Sequence, residues 1–399
     1  MARRPALSTM LIHPGHADET AATRHGSAPA IERSTTFPLD QPRVDAMVTG
    51  QGLRQADVYG RFGTSTGRVA ADLIARLEGA EACALTASGM AAITTTLTTL
   101  VPAGGRVACA EVVYGGTESV LRHELEPRGV RCDRFDARRP ETLAPLLDPP
   151  PGQAKPDLVW CESIANPLMR IGQISAIARL CADAGVPLGV DATFAGGMAQ
   201  NPLALGASVV VHSATKVLNG HSDVVAGAIA SDAARVDACF ATIKRQGGCV
   251  DPQAAWLLQR GIRTLPLRWA AQTRNSEFLA ERLRDHPKVR AVHWPGFEME
   301  AMVAAPLRSP GTMLAFELEG GFPAVRALFG AVQLCTHAVS LGGLETLLSS
   351  PAWTSHTQLA PEVRRARGIA DGLVRLSAGI EDCQDLWDDL ERALAQLSA

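Results

Sequence analysis

Lys216 stands just past an apolar, β-branched run in VVVHSATKVLNG, residues 209–220, with the hydroxyls of Ser213 and Thr215 beside it. An unbroken run such as Val209–Val211 reads as a strand buried on both faces of a parallel sheet, and such sheets bind ligands beyond their carboxyl ends. A partly shielded lysine there gives up its proton more readily and becomes an amine nucleophile. For any lysine taken alone a solvated loop position is the plainer alternative. Two flanking hydroxyls, both able to donate to a phosphate, turn the reading toward pyridoxal phosphate.

That cofactor needs more than a lysine: an acid to hold its ring nitrogen protonated, a phosphate cradle and often an aromatic plate over the ring. Asp191 closes the strand candidate Pro187–Asp191 and suits the acid, since a fixed carboxylate stabilises the protonated nitrogen; an N-cap or Asx turn before Thr193 is the structural alternative. Ser88-Gly89-Met90 lies between Ala84-Leu85-Thr86-Ala87 and an Ala/Ile/Thr/Leu-rich helix toward Leu100. A strand, a glycine turn and a helix start present free N–H groups to an anion, although a tightly packed βα turn gives the same letters. Glu162, Asp191 and Ser213 all end strand candidates and project into one crevice.

Behind these residues, strands are expected at Arg106–Ala110, Leu158–Glu162, Pro187–Asp191, Ser208–Ser213 and Val224–Ala230, separated by helical patterns such as Arg68–Leu77. Alternation of this kind predicts an α/β fold with a mainly parallel, doubly wound sheet. Pro149-Pro150-Pro151-Gly152 reads as a connection inside that region. Near Asp251-Pro252 a long helical tract begins and runs through Arg284. Val289–His293, Met313–Leu318 and Leu373–Leu376 then suggest a smaller α+β domain.

Composition removes several classes of function. A net charge of −3 over 399 residues gives no field for nucleic acid, and Arg138-Arg139 and Arg364-Arg365 read as solvated faces. Nine cysteines without a CxxC pair argue against a disulfide framework or zinc knuckle and read as reduced, mostly buried thiols. His212 and His221 are a poor metal pair, and no metal is expected. The apolar stretch after Arg3-Arg4 is broken by Pro5 and ends at His13-Pro14, too short for a signal-peptide core. No segment reaches the ~18 apolar residues of a membrane helix. The expected location is the cytoplasm.

YGR at 59–61, LEGAEACALTASGMAAI at 77–93, YGGT at 114–117, ESIANP at 162–167, DATF at 191–194, SATKVLNGHSDVV at 213–225, VSLGGLETL at 339–347 and RLSAGIED at 375–382 occur in that order along nearly the whole chain. Together they resemble the Cys/Met-metabolism, or cystathionine-type, pyridoxal phosphate enzymes. The resemblance implies fold type I, with an N-terminal arm over 1–62, a large cofactor-binding domain over 63–255 and a C-terminal domain over 256–399. It implies that Lys216 forms the Schiff base with pyridoxal phosphate and shuttles protons, that Asp191 pairs with the ring nitrogen, and that Tyr114 stacks on the ring, where a core aromatic is its plainer alternative; either the freed Lys216 or Tyr114 would remove the α-proton. Ser88, the Gly89 and Met90 amides and the Ser213 and Thr215 hydroxyls would hold the phosphate, joined by Tyr59 and Arg61 of a neighbouring subunit in a homotetramer. Asn166 would meet the phenolic oxygen, Arg375 with Ser340 would grip the α-carboxylate of an amino-acid substrate, and Glu162 would lie near the substrate.

Carbon–sulfur lyase chemistry follows, by α,β- or α,γ-elimination from cystathionine or a related S-substituted amino acid. A γ-replacement transferase acting on an activated homoserine is the alternative, favoured by the wider opening that Gly60 and Gly116 would leave. A non-catalytic scaffold would not need Lys216, Asp191, Tyr114 and Arg375 together, and an aminotransferase would not explain Tyr59 with Arg61. YGRFGTST leans toward the β-lyase branch. Val339 stands where cystathionine γ-enzymes carry glutamate, and Gly116 where methionine γ-lyases carry cysteine. Leu341 lacks the tryptophan of bacterial β-lyases, and ESIANP follows the γ-branches. Ala192 and Val217 replace a common asparagine and tyrosine, so the signature is mixed.

Overall fold

A computed structural model describes residues 5–13, 28–299, 306–357 and 360–397; Arg3, Arg4 and Pro14 lie outside them. The first strands are β1 (Ala82–Thr86), β2 (Arg106–Ala110), β3 (Arg131–Phe135) and β4 (Leu158–Glu162). A short ribbon of β5 (Ile164–Ala165) and β6 (Arg170–Ile171) follows, then β7 (Leu188–Asp191), β8 (Val209–Ser213) and β9 (Gly227–Ser231). Apart from the ribbon these make a seven-stranded sheet in the order β1-β9-β8-β7-β4-β2-β3. Only β9 runs against its neighbours. Its central strands are buried except at Ser213, as continuous Val/Ala/Leu runs require when helices cover both faces.

A second sheet combines β10 (Val289–His293), β11 (Met313–Leu318), β12 (Thr336–His337), β13 (Leu347–Ser349) and β14 (Leu373–Ser377) in the order β10-β11-β14-β13-β12. Helices Leu265–Arg284 and Cys383–Ala395 give it a core of its own. The fold is thus mixed α/β, with a large, mostly parallel sheet and a smaller C-terminal part.

Several expectations change. The helical tract from Asp251 divides into Pro252–Arg263 and Leu265–Arg284, because Pro266 in the first turn of the second helix cannot continue the first. The expected boundary between residues 255 and 256 falls inside the first of these helices. The strand expected from Val224 starts only at Gly227, since Ala226 bonds through both main-chain groups to Thr215. Gly227 is needed there: a Cβ would lie 2.2 Å from the Ser88 carbonyl oxygen, at the start of the next helix. Arg364 is no solvated side chain. It is 5% exposed and ion-paired with Asp371. Six of the nine cysteines are buried and all nine are free.

Candidate active site

The carboxyl ends of β4, β7 and β8 deliver Glu162, Asp191 and Ser213 to one cavity of about 660 Å³ between the two sheets. Ser88, Gly89, Met90, Tyr114, Asn166, Thr215, Lys216, Ser340 and Arg375 line it too. Of the residues expected at the site, only Tyr59 and Arg61 are absent from its wall.

Lys216 lies one turn beyond β8. Its main chain is held by Ser213 and Gly220, and Arg268 donates to the carbonyls of Val217 and Leu218 just after it. Its Nζ donates to Ser340 Oγ at 2.7 Å. Ser340 sits at φ 92°, left-handed backbone that a serine adopts only when its surroundings impose it. Burial, and then the charge of Arg375, lower the Lys216 pKa from 10.5 to about 8. A reactive amine is therefore available within reach of neutral pH. We expect the apoprotein to capture pyridoxal phosphate at a rate that rises as pH passes through about 8, because only the deprotonated amine attacks. Stopped-flow absorbance across a pH series checks this. Arg375→Gln should move the midpoint up, though not to 10.5, since burial remains the larger cause.

Asp191 is paired in register with Glu162, and burial raises its pKa against the pull of Thr193 and His212. Oδ1 accepts from the Thr193 amide at 2.9 Å, so the Asx turn exists and yet leaves the carboxylate on the cavity. A cation placed against it would relieve the cost of burying the charge, which fits a protonated ring nitrogen. Burial and the neighbouring Asp191 push Glu162 up to about 8. Both of its oxygens accept from main-chain amides, those of Tyr114 and Asn166. His212 Nε2 bonds Glu78 Oε1 at 2.8 Å.

Ser88 caps the helix Gly89–Leu100 by accepting from the Ala91 amide, leaving the Gly89 and Met90 amides without intrahelical partners. A Cβ on residue 89 would lie 2.6 Å from that of Ser213, so glycine alone lets these amides approach the Ser213 hydroxyl. The resulting concavity of N–H and O–H donors fits a phosphate. Thr215 is less free than expected, since its hydroxyl donates to the Ala226 carbonyl and accepts from the Ala226 amide.

Tyr114 is 41% exposed, which excludes the core-aromatic alternative. Gly116 does not widen the opening: a Cβ there would lie 2.5 Å from both Met90 Sδ and the Tyr114 ring, which fill the space. A Cβ on Gly60 would lie 3.1 Å from the Thr35 backbone. Arg375, 8% exposed, donates from Nη1 to Asn166 Oδ1 at 3.0 Å and from Nη2 to the Ser340 carbonyl at 2.9 Å. Asn166 thus keeps only its amide NH₂ for a phenolic oxygen.

Tyr59 is 45% exposed, and the guanidinium of Arg61 lies near the Tyr59 and Phe62 rings. Phe194, Val225 and Leu341, from the quoted motifs, face the cavity too, and so do Trp353 and Ser355, which no motif contained. Ser355 Oγ bonds His356 Nδ1 at 2.8 Å, and burial and nearby arginines lower that histidine to about 4. No motif spacing announces Trp353 or Ser355, whose loop packs closely against Gly115.

The family described as Cys/Met metabolism PLP-dependent enzymes matches residues 8–395. An L-methionine γ-lyase of Pseudomonas putida is 37% identical over 98% of this chain and 97% of its own. A crystal structure of cystathionine γ-synthase from Xanthomonas oryzae pv. oryzae, in complex with aminoacrylate and cysteine, has a TM-score of 0.89 at 33% identity, covering 98% of each chain. That of a cystathionine γ-lyase from Micromonospora echinospora has 0.89 at 36%, covering 99% of this chain and all of its own.

Proposed function

The chain belongs to the Cys/Met metabolism PLP-dependent enzyme family and is a pyridoxal phosphate-dependent carbon–sulfur lyase or γ-replacement enzyme; we propose that it is a lyase for an S-substituted amino acid whose distal arm carries no charge. The observation that carries this reading is the cavity wall. Val225, Val339, Leu341 and Trp353 line it, and among the described residues its only carboxylates are Asp191 and Glu162, the latter held by main-chain amides. A thioether suits that wall, while a distal ammonium would lie there unpaired. The methionine γ-lyase relative accords with it.

Bound in this cavity, pyridoxal phosphate supplies a protonated ring that accepts the electron pair released when an amino acid loses its α-proton. The chain's residues do the rest. Asp191 would hold the proton on the ring nitrogen, and Tyr114 would lie against the ring. Arg375 and Ser340 grip the α-carboxylate, fixing the α-hydrogen toward Lys216. Lys216 Nζ, lowered to about 8, takes that proton and returns it elsewhere on the substrate. The apolar wall excludes water from the departing thiol.

Among the described residues Lys216 and Arg375 are the only basic ones lining the cavity, and neither belongs to the phosphate cradle. Tyr59 and Arg61 of a second copy would supply a cation there, and this supports a shared site in a homotetramer. Free cysteines throughout support a reducing, cytoplasmic location.

A γ-replacement reading draws on a second cavity of about 610 Å³ that shares Thr215, Val225, Val339 and Ser340 and carries Asp223 and Glu345. Those carboxylates could hold the ammonium of an incoming amino-acid thiol. Product assays on L-methionine, L-cystathionine and O-acetyl-L-homoserine with L-cysteine separate the two. We expect 2-oxobutyrate and a thiol from methionine. A thioether formed from O-acetylhomoserine faster than any 2-oxobutyrate would favour the transferase, and pyruvate from cystathionine would favour β-elimination.

A further inference from the structure

The hydrogen bonds around Glu162 form one continuous chain across both sheets. Glu162 ends β4 at 5% exposure; Oε1 accepts from the Tyr114 amide and Oε2 from the Asn166 amide at 3.2 Å. From there the Asn166 side chain accepts from Arg375, Arg375 donates to the Ser340 carbonyl, and the Ser340 hydroxyl accepts from Lys216. Glu162, expected to meet the substrate, has both oxygens committed to the main chain instead.

We propose that Glu162 is a positioning residue that sets the Tyr114 ring and the Arg375 clamp in one frame by fixing two main-chain amides from a single strand end. Tyr114 begins a short helix and Asn166 lies in the ribbon region, and no other side chain bonds both. The pattern requires two acceptors side by side. Glutamine would offer one oxygen and turn an NH₂ toward the other amide, leaving a buried donor unsatisfied. Aspartate, a methylene shorter, would not span both. The role rests on Arg375 gripping the α-carboxylate.

The test titrates the holoenzyme with glycine, which has the carboxylate but no leaving group, and with methylamine, which has the amine alone; visible absorbance reports both. Glu162→Gln should weaken glycine about tenfold and methylamine less than about threefold, the scale of one unsatisfied buried hydrogen bond felt through the clamp. Asn166→Ala should show the same discrimination, and the double variant should lose little more than either single one. Unchanged glycine binding, equal weakening of both probes, or additive losses would overturn the proposal. If Glu162→Gln does not fold, Glu162→Asp takes its place with the same discrimination expected. Were Arg375→Ala to bind glycine like the parent enzyme, the carboxylate-clamp reading would fail instead.

Discussion

Lys216→Ala should lower kcat/KM on every amino-acid substrate by about 10⁴-fold or more, at or beyond the upper end of a general acid–base contribution. In the proposed mechanism the residue carries two duties at once, covalent attachment and proton movement at Nζ, and Ser340, its hydrogen-bond partner, is not a substitute base. Added methylamine should restore part of the rate by re-entering the space of the lost side chain, while the melting temperature changes little. Steady-state kinetics with and without the amine check it. Full activity in the alanine variant would remove Lys216 from the chemistry.

Asp191→Asn should keep the fold and lose about 10²–10³-fold in kcat, on the scale of removing one preorganised electrostatic group. The amide oxygen can still accept from the Thr193 amide, so the Asx turn survives. What disappears is the negative charge, which in the proposed mechanism keeps the ring nitrogen protonated. Kinetics beside a circular-dichroism melt separate the two effects. A large drop in melting temperature with normal kcat in the surviving enzyme would make Asp191 a structural residue.

The buried strands β2, β4, β7 and β8 were legible because a parallel sheet covered on both faces demands continuous apolar runs, and Glu162, Asp191 and Ser213 mark where those runs meet solvent. β3 was not legible. Its sequence, Arg131–Phe135, is charged because it lies at the sheet edge, where Asp133 pairs with Arg106 and Arg134 with Glu118. The break at Thr264 was hidden by an unbroken helical pattern on both sides of Pro266. The site's donors were legible as types but not as partners: that Glu162 turns to the main chain, that Thr215 is tied to Ala226 and that Gly116 is filled by Met90 and Tyr114 depend on contacts between distant segments. Ser355 reaches the cavity, with His356 bonded to it, on a loop whose sequence has no periodicity to read.

The sequence contains four lysines, Lys155, Lys216, Lys244 and Lys288, and among them only Lys216 lines the cavity. Borohydride reduction of the holoenzyme, followed by proteolysis and mass spectrometry, therefore gives a sharp answer. The account predicts a single pyridoxyl group on the peptide that contains Lys216. A label on Lys155, Lys244 or Lys288, or no label on a protein that has bound the cofactor, would contradict it.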